Sequence, residues 1–350
     1  MDKRIVIMAG GTGGHIFPAL AVAQELQKQQ WQVSWIGTER GMESQIVPQN
    51  NLEIDFLSVN GLRGKGRLAL IKMPFMLIKA CLEARKILQA RKPNVVLGMG
   101  GFVAGPGGLM ARLMGIPLVI HEQNRIPGTT NRLLAKVAKK ILQAFPDSFP
   151  VKAQAICTGN PLRANFLKQY KREQRATDSL LRLLVVGGSL GAQRLNQVMP
   201  ETAKLLENIA VRHQAGTKMQ AEVDQSYRAK NVQATVTAFI DDMSEAYHWA
   251  DVVVCRAGAM TISEVAAMGV PAVLVPYPYA IDDHQTANAE YLVEAGAAVI
   301  IQQDKLEIGY LAETIKDLMK NKETMTLAAK QSAKLDATQQ VASYCIEVAK

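Results

Sequence analysis

Short apolar runs alternate along the chain with longer segments whose apolar residues recur every three or four positions. The runs at 4–9, 33–37, 54–57, 95–98, 117–120 and 140–143 are continuous rather than alternating, the pattern of strands buried on both faces. Between them the spacing is helical, as at 17–30 with Leu20, Val22, Ala23 and Leu26. Strand and helix in strict succession predict a parallel sheet with helices on both sides. A polar, charged stretch at 169–179 interrupts the rhythm, which restarts at Arg182 with runs at 182–186, 211–213, 235–239, 252–254, 272–275 and 299–301. The pattern predicts an α/β protein of two doubly wound domains, 1–163 and 164–336. A last helix, 337–350, either extends the second domain or crosses back to the first. Ligands of such sheets bind beyond the carboxyl ends of the strands, so a cleft between two such edges is the expected site.

Composition changes this picture little, but charge changes it more. At 350 residues each domain has room for its own core. Cys81, Cys157, Cys255 and Cys345 lack metal-like or disulfide-like spacing, which predicts a reducing, cytoplasmic setting and no metal. The N-terminus carries Asp2 and an apolar run ending in glycines, a strand rather than a signal peptide. No run reaches the ~18 apolar residues of a membrane span, so a soluble or peripheral protein is expected. Net charge is +9, with 20 Lys plus Arg against 9 Asp plus Glu in residues 1–160 and 20 against 22 in the remainder. The basic half is therefore predicted to meet a polyanion. Its basic residues are not interleaved with aromatics, which favours an acidic membrane surface over nucleic acid.

The first strand runs into Gly10-Gly11-Thr12-Gly13-Gly14-His15, with four glycines in five positions. Such a turn lets backbone N–H groups approach an anion or sugar at a helix N-terminus. It is not the dinucleotide fingerprint, since the third glycine's place falls on Ile16. His15 can move a proton near neutral pH and is a candidate general base; a capping or loop-ordering histidine is the alternative. A second glycine-rich turn spans 98–108. His121-Glu122-Gln123-Asn124 ends another strand: Glu122 is a second candidate base, Asn124 suits a sugar hydroxyl, and His121 reads as structural. Arg163, near the domain junction, offers a planar fork to phosphate or is a solvated hinge residue. In 256–264, Glu264 is placed to chelate ribose hydroxyls or, with Thr261, to form a capping box. Gln285 and Asn288 suit sugar hydroxyls. Residues 65–79 interleave Leu70, Ile71 and Phe75 with Lys65, Arg67, Lys72 and Lys79. With Lys136 and Lys140 they predict a patch for an anionic bilayer, the alternative being an amphipathic helix with a solvated face.

Taken together, segments 10–15, 60–66, 98–108, 121–124, 159–163, 187–192, 256–264 and 283–288 resemble the MurG family, in the family's order over nearly the whole chain. These are bacterial transferases of glycosyltransferase family 28. One departure is His284 ahead of Gln285. The resemblance implies a GT-B fold of two Rossmann-like domains, with the last helix packed back on the first. It also implies inverting transfer of GlcNAc from UDP-GlcNAc to undecaprenyl-diphosphate-MurNAc-pentapeptide (lipid I), giving lipid II for peptidoglycan, at the cytoplasmic face of the inner membrane. By the same resemblance, uracil would meet the backbone near Ile240, Glu264 would take the ribose, and Ala259, Met260, Thr261, Ile262 and Ser263 would take part in binding UDP-GlcNAc. Ser189 and Arg163 would hold the diphosphate, Gln285 and Asn124 would touch the sugar, and Thr12, Gly13 and Gly14 would close over the donor. His15 is then the first choice as base and Glu122 the second, with phosphate contact the other role open to His15. No cofactor is implied. A UDP-GlcNAc 2-epimerase on the same fold, which needs no lipid acceptor, and a non-catalytic membrane-binding module are the competing functions.

Overall fold

The computed structural model describes residues 3–59, 67–170, 179–188 and 192–349, with the backbone alone at 67–72 and Ile281. The chain divides into two compact units, Met1–Arg163 with Lys334–Lys350, and Ala164–Ala333.

The first unit is built on a seven-stranded sheet of β1 (Arg4–Met8), β2 (Gln32–Gly37), β3 (Glu53–Phe56), β4 (Val95–Gly98), β5 (Leu118–Glu122), β6 (Lys140–Gln143) and β7 (Ile156–Cys157). The order is β3-β2-β1-β4-β5-β6-β7, every pair parallel. The two-residue β7 has no apolar run long enough to announce it in the sequence. Its helices are α1 (Gly13–Lys28), α2 (Glu43–Gln49), α3 (Arg67–Arg91), α4 (Ala104–Leu113) and α5 (Thr129–Leu134). Because strand side chains alternate, β1 feeds two cores. Ile5 and Ile7 pack with α1 residues such as Ile16 and Leu26, while Val6 and Met8 pack with Ala84, Leu88 and Ala104 of α3 and α4. The helix expected at 17–30 begins four residues earlier, because the Thr12 carbonyl accepts the His15 and Ile16 N–H groups and draws the glycines into the first turn.

The second unit holds a six-stranded parallel sheet in the order β10-β9-β8-β11-β12-β13. Its strands are β8 (Leu181–Val186), β9 (Ile209–Gln214), β10 (Ala234–Thr237), β11 (Val252–Cys255), β12 (Ala272–Leu274) and β13 (Ala298–Ile300). Helices α6 (Ala164–Tyr170), α7 (Gln193–Lys204), α8 (Gln220–Ala229), α9 (Met243–Trp249), α10 (Ala259–Met268), α11 (His284–Glu294), α12 (Ile308–Lys320) and α13 (Lys322–Ser332) cover it. Division from the first unit precedes the polar stretch at 169–179, because α6 packs on α9 and α10, its buried Phe166 against Tyr247.

The chain then returns. α14 (Ala337–Ala349) lies on α1, β4, β5 and β6 of the first unit, with Val341, Ala342 and Cys345 fully buried there. Its entry is fixed by Thr338 Oγ1 donating to the Leu162 carbonyl at 3.1 Å. Among the described residues no helix is long and apolar enough to cross a membrane.

Candidate active site

In the first sheet, connections run to opposite sides from β1 and β4, and two glycine-rich loops meet at their carboxyl ends, the place where doubly wound sheets bind ligands. Met99 N–H donates to the Met8 carbonyl at 2.8 Å, tying the loops together. Gly101, at φ 81°, sits so near the Gly10 carbonyl oxygen that any Cβ would overlap it. At Gly100, φ 100°, a Cβ would stand 2.9 Å from the His15 ring. Only glycine permits both approaches.

Beneath the first loop lies a carboxylate that sequence reasoning missed. Glu43, fully buried at the start of α2, accepts from Thr38 N–H (2.9 Å), Thr38 Oγ1 (2.7 Å) and Gly11 N–H (3.2 Å). Side chains at Gly10, Gly37 or Gly41 would run into it. It thus holds the turn between β1 and α1 from below. The signal in sequence was three glycines from two separate turns converging on one acid, which only the fold brings together.

His15 occupies the first turn of α1, half-buried, with Nδ1 2.7 Å from Gln123 Oε1. Gln123 is buried, and its Nε2 lies 3.0 Å from both His121 Nδ1 and the His121 carbonyl oxygen. His121 is fully buried, its Nε2 2.9 Å from the Gly159 carbonyl oxygen, and burial pushes its pKa down to about 4. Gln123 was not singled out in the sequence, although it stands between two residues that were. Glu122 is also buried, and its oxygens accept from Asn124 N–H and Nδ2, Gly128 N–H and Asn131 Nδ2 at 2.9–3.2 Å. It orders the loop from β5 to α5, with both oxygens occupied. Asn124 is half-buried beside it. Arg163 is half-buried with its guanidinium 5.1 Å from the centre of the Phe17 ring, one turn beyond Gly13 and Gly14. As the first two residues of α1, these glycines carry amides without intrahelical acceptors. Thr12 is exposed at the N-cap.

The second unit repeats the arrangement at its own switch point, between β8 and β11. The loop after β8 has Gly188 at φ 85°; Ser189 lies outside the described residues. After β11, α10 opens at Ala259 with Gly258 as N-cap and no side-chain cap, so Thr261 is already inside the helix and forms no capping box with Glu264. Glu264 is half-buried in the second turn, as are Met260, Thr261 and Ser263, while Ala259 and Ile262 are buried; Ser263 Oγ donates to the Ala259 carbonyl. Ile240 is half-buried, its N–H donating to Gln214 Oε1 at 2.9 Å. Gln285 Oε1 accepts from Tyr277 N–H at 2.9 Å, and buried Asn288 Nδ2 donates to the Ala257 carbonyl. Arg256 pins this edge from inside: Nη1 donates to the Val275 and Pro276 carbonyls and Nη2 to Gln303 Oε1. Among the described residues no group of three or more His, Cys, Asp or Glu is placed to hold a metal ion.

Of the basic, apolar patch, Lys65 lies outside the described residues, and the side chains of Arg67, Leu70, Ile71 and Lys72 are not described. Beyond them Phe75, 74% exposed, joins Leu77, Ile78 and Leu82 as bare apolar residues on α3. Leu109 and Leu113 of α4 and Leu133 of α5 are bare as well, and α4 packs against both α3 and α5. Lys79 is exposed 3.7 Å from Glu83, and Lys136 is exposed. Lys140 does not join them: its ammonium pairs with Glu347 at 3.3 Å and lies over the Tyr344 ring, both on α14.

Residues 5–143 match the glycosyltransferase family 28 N-terminal domain and residues 182–343 its C-terminal domain. Two relatives carry the name UDP-N-acetylglucosamine–N-acetylmuramyl-(pentapeptide) pyrophosphoryl-undecaprenol N-acetylglucosamine transferase. The protein from Methylococcus capsulatus is 54% identical over 354 residues, covering 100% of this chain and 99% of its own. That from Pseudomonas savastanoi is 49% identical over 355 residues with the same coverage. The crystal structure of Acinetobacter baumannii MurG superposes with a TM-score of 0.84 at 41% identity, covering 99% of each chain. A UDP-GlcNAc 2-epimerase from Neisseria meningitidis, 14% identical with a TM-score of 0.68 over 99% of this chain and 100% of that one, shares the fold. With two doubly wound units in GT-B manner, both domains matched in order, and relatives this similar from end to end, the chain belongs to glycosyltransferase family 28.

Proposed function

We propose that the protein is an inverting glycosyltransferase that moves GlcNAc from UDP-GlcNAc to the N-acetylmuramoyl-pentapeptide of undecaprenyl-diphosphate lipid I, forming lipid II. The observation that carries this reading is His15, held in the first turn of α1 between two glycine loops at the switch point, with one ring nitrogen anchored on Gln123. The acceptor hydroxyl gives its proton to His15 as its oxygen attacks the anomeric carbon. The bond from that carbon to the diphosphate breaks, and UDP departs with the electron pair. Arg163 and the N-terminus of α1 stabilise the departing charge. Glu264 takes the ribose hydroxyls. Ile240 offers its carbonyl to uracil, its N–H being engaged by Gln214. Gln285 and Asn124 contact the sugar. Glu122, with both oxygens occupied, serves the loop and leaves the proton to His15.

The bare residues of α3, α4 and α5 form the surface that rests on the anionic cytoplasmic leaflet, where the lipid acceptor is. The test of the activity is His15→Ala, with kcat expected to fall by about 10²-fold or more while the KM for UDP-GlcNAc changes little. Near-normal turnover would remove His15 as base. Release of UDP-ManNAc from UDP-GlcNAc without acceptor would replace the transferase with an epimerase. Failure to release UDP with any prenyl-linked acceptor would leave a non-catalytic membrane module.

A further inference from the structure

The contacts behind His15 do more than hold it: they decide which of its nitrogens can take a proton. A backbone carbonyl oxygen can only accept a hydrogen bond. The Gln123 side-chain atom 3.0 Å from the His121 carbonyl oxygen must therefore be the NH2 nitrogen, which also points at His121 Nδ1. The other end of that amide, the one 2.7 Å from His15 Nδ1, is then the oxygen. An amide oxygen only accepts, so His15 Nδ1 carries the hydrogen and, in the neutral ring, Nε2 carries the lone pair. On the far side the same logic holds: the Gly159 carbonyl requires His121 Nε2–H, leaving His121 Nδ1 to accept from Gln123. Every donor in the chain Gly159, His121, Gln123, His15 meets an acceptor, and a flip of the amide would set oxygen against oxygen.

We propose that Gln123 and His121 are positioning residues that lock His15 in its Nδ1–H tautomer, so that Nε2 is the atom that receives the acceptor's proton. Gln123 is 1% exposed and His121 fully buried, so water does not compete for these bonds. Desolvation keeps His121 neutral across the physiological range, which preserves its accepting Nδ1. Gln123 is itself fixed at the backbone, its carbonyl accepting from Asn160 Nδ2 at 3.1 Å. The partner of the base is thus a neutral amide anchored on a backbone carbonyl. When His15 takes the proton at Nε2, its Nδ1–H bond to Gln123 is retained and strengthened by the new charge.

This inference rests on His15 as base, and the experiment separates the two. The full-length protein, labelled with ¹⁵N-histidine and bound to UDP, is read by long-range ¹H–¹⁵N correlation, with His15 identified by its loss in His15→Ala. The expected spectrum has a protonated Nδ1 and a pyridine-type Nε2; a protonated Nε2 overturns the proposal even if His15→Ala is inactive. In Gln123→Met the His15 signals are expected to shift towards the other tautomer. Its kcat is expected to fall tenfold or more, with the KM for UDP-GlcNAc within twofold. Turnover in Gln123→Met within twofold of wild type overturns the positioning role. Near-normal turnover in His15→Ala removes the base itself, while the wild-type spectrum still reports the tautomer.

Discussion

Glu43 and Gly100 shape the surroundings of His15 without a place in the proposed chemistry, and both lead to measurable outcomes. Replacing Glu43 by Gln would turn an NH2 group towards donors that now find oxygen, leaving one buried hydrogen bond unmade. Chemical denaturation of Glu43→Gln should show a loss of ~1–3 kcal/mol, with weakened UDP-GlcNAc use because the loop at 10–15 loses its floor. Gly100→Ala adds a methyl group 2.9 Å from the His15 ring on a backbone with positive φ. Its kcat should fall at least tenfold, and a wild-type rate would mean that the ring has room to move. The place of His15 was legible in the sequence because a histidine beside four glycines is conspicuous. Gln123 and Glu43 were not, since their partners lie 108 and 32 positions away, and only the sheet brings them together.

At the scale of elements, the strands were legible because continuous apolar runs admit few other readings. Boundaries were less so: α1 starts on glycines that look like loop, and α10 starts before the Thr261 that resembled a cap. Lys140 was assigned to the membrane surface on charge alone, whereas Glu347 and Tyr344 hold it. The patch that remains predicts that Phe75→Ser with Leu82→Ser weakens co-sedimentation with anionic vesicles while soluble stability stays near wild type, as both side chains are exposed. Unchanged partitioning would contradict the assignment. In the second unit His213 of β9 is buried between Asn196 of α7 and Tyr227 of α8, at 3.0 Å from each, and desolvation pushes its pKa down to about 3. His121 stands at about 4. Both values lie below the unfolded ~6.5, so the unfolded chain binds more protons as pH falls. Stability is therefore full above about pH 6.5 and erodes towards pH 4, at a cost on the order of 3 kcal/mol for His121 alone. Urea titrations at pH 7 and 5 should show it, and an unchanged midpoint would contradict the buried neutral rings.

For the molecule as a whole, the doubled pattern of runs and the basic N-terminal half were visible in the residue pattern, whereas the destination of α14 came only from the family resemblance, with which the structure agrees. An amphipathic helix shows that it has an apolar face, not which sheet receives it. Because α14 covers α1 and β4 with Val341, Ala342 and Cys345, a chain ending at Ala333 should leave the first unit uncovered. Its unfolding midpoint should fall by at least ~5 °C. An unchanged midpoint would mean that the helix contributes little to that core.

The return of α14 also sets an order of events during synthesis. The second unit is one uninterrupted span, Ala164–Ala333, whereas the first needs both ends of the chain. At ~5–20 residues per second the ribosome takes roughly eight to thirty-five seconds over that span. The later half of the chain can therefore be finished while the earlier half still waits for its last helix, and a prematurely terminated product is marked by an open face beside α1. The helix that closes the sheet behind His15 thus ties completion of the first unit's core to synthesis of the chain's last described segment.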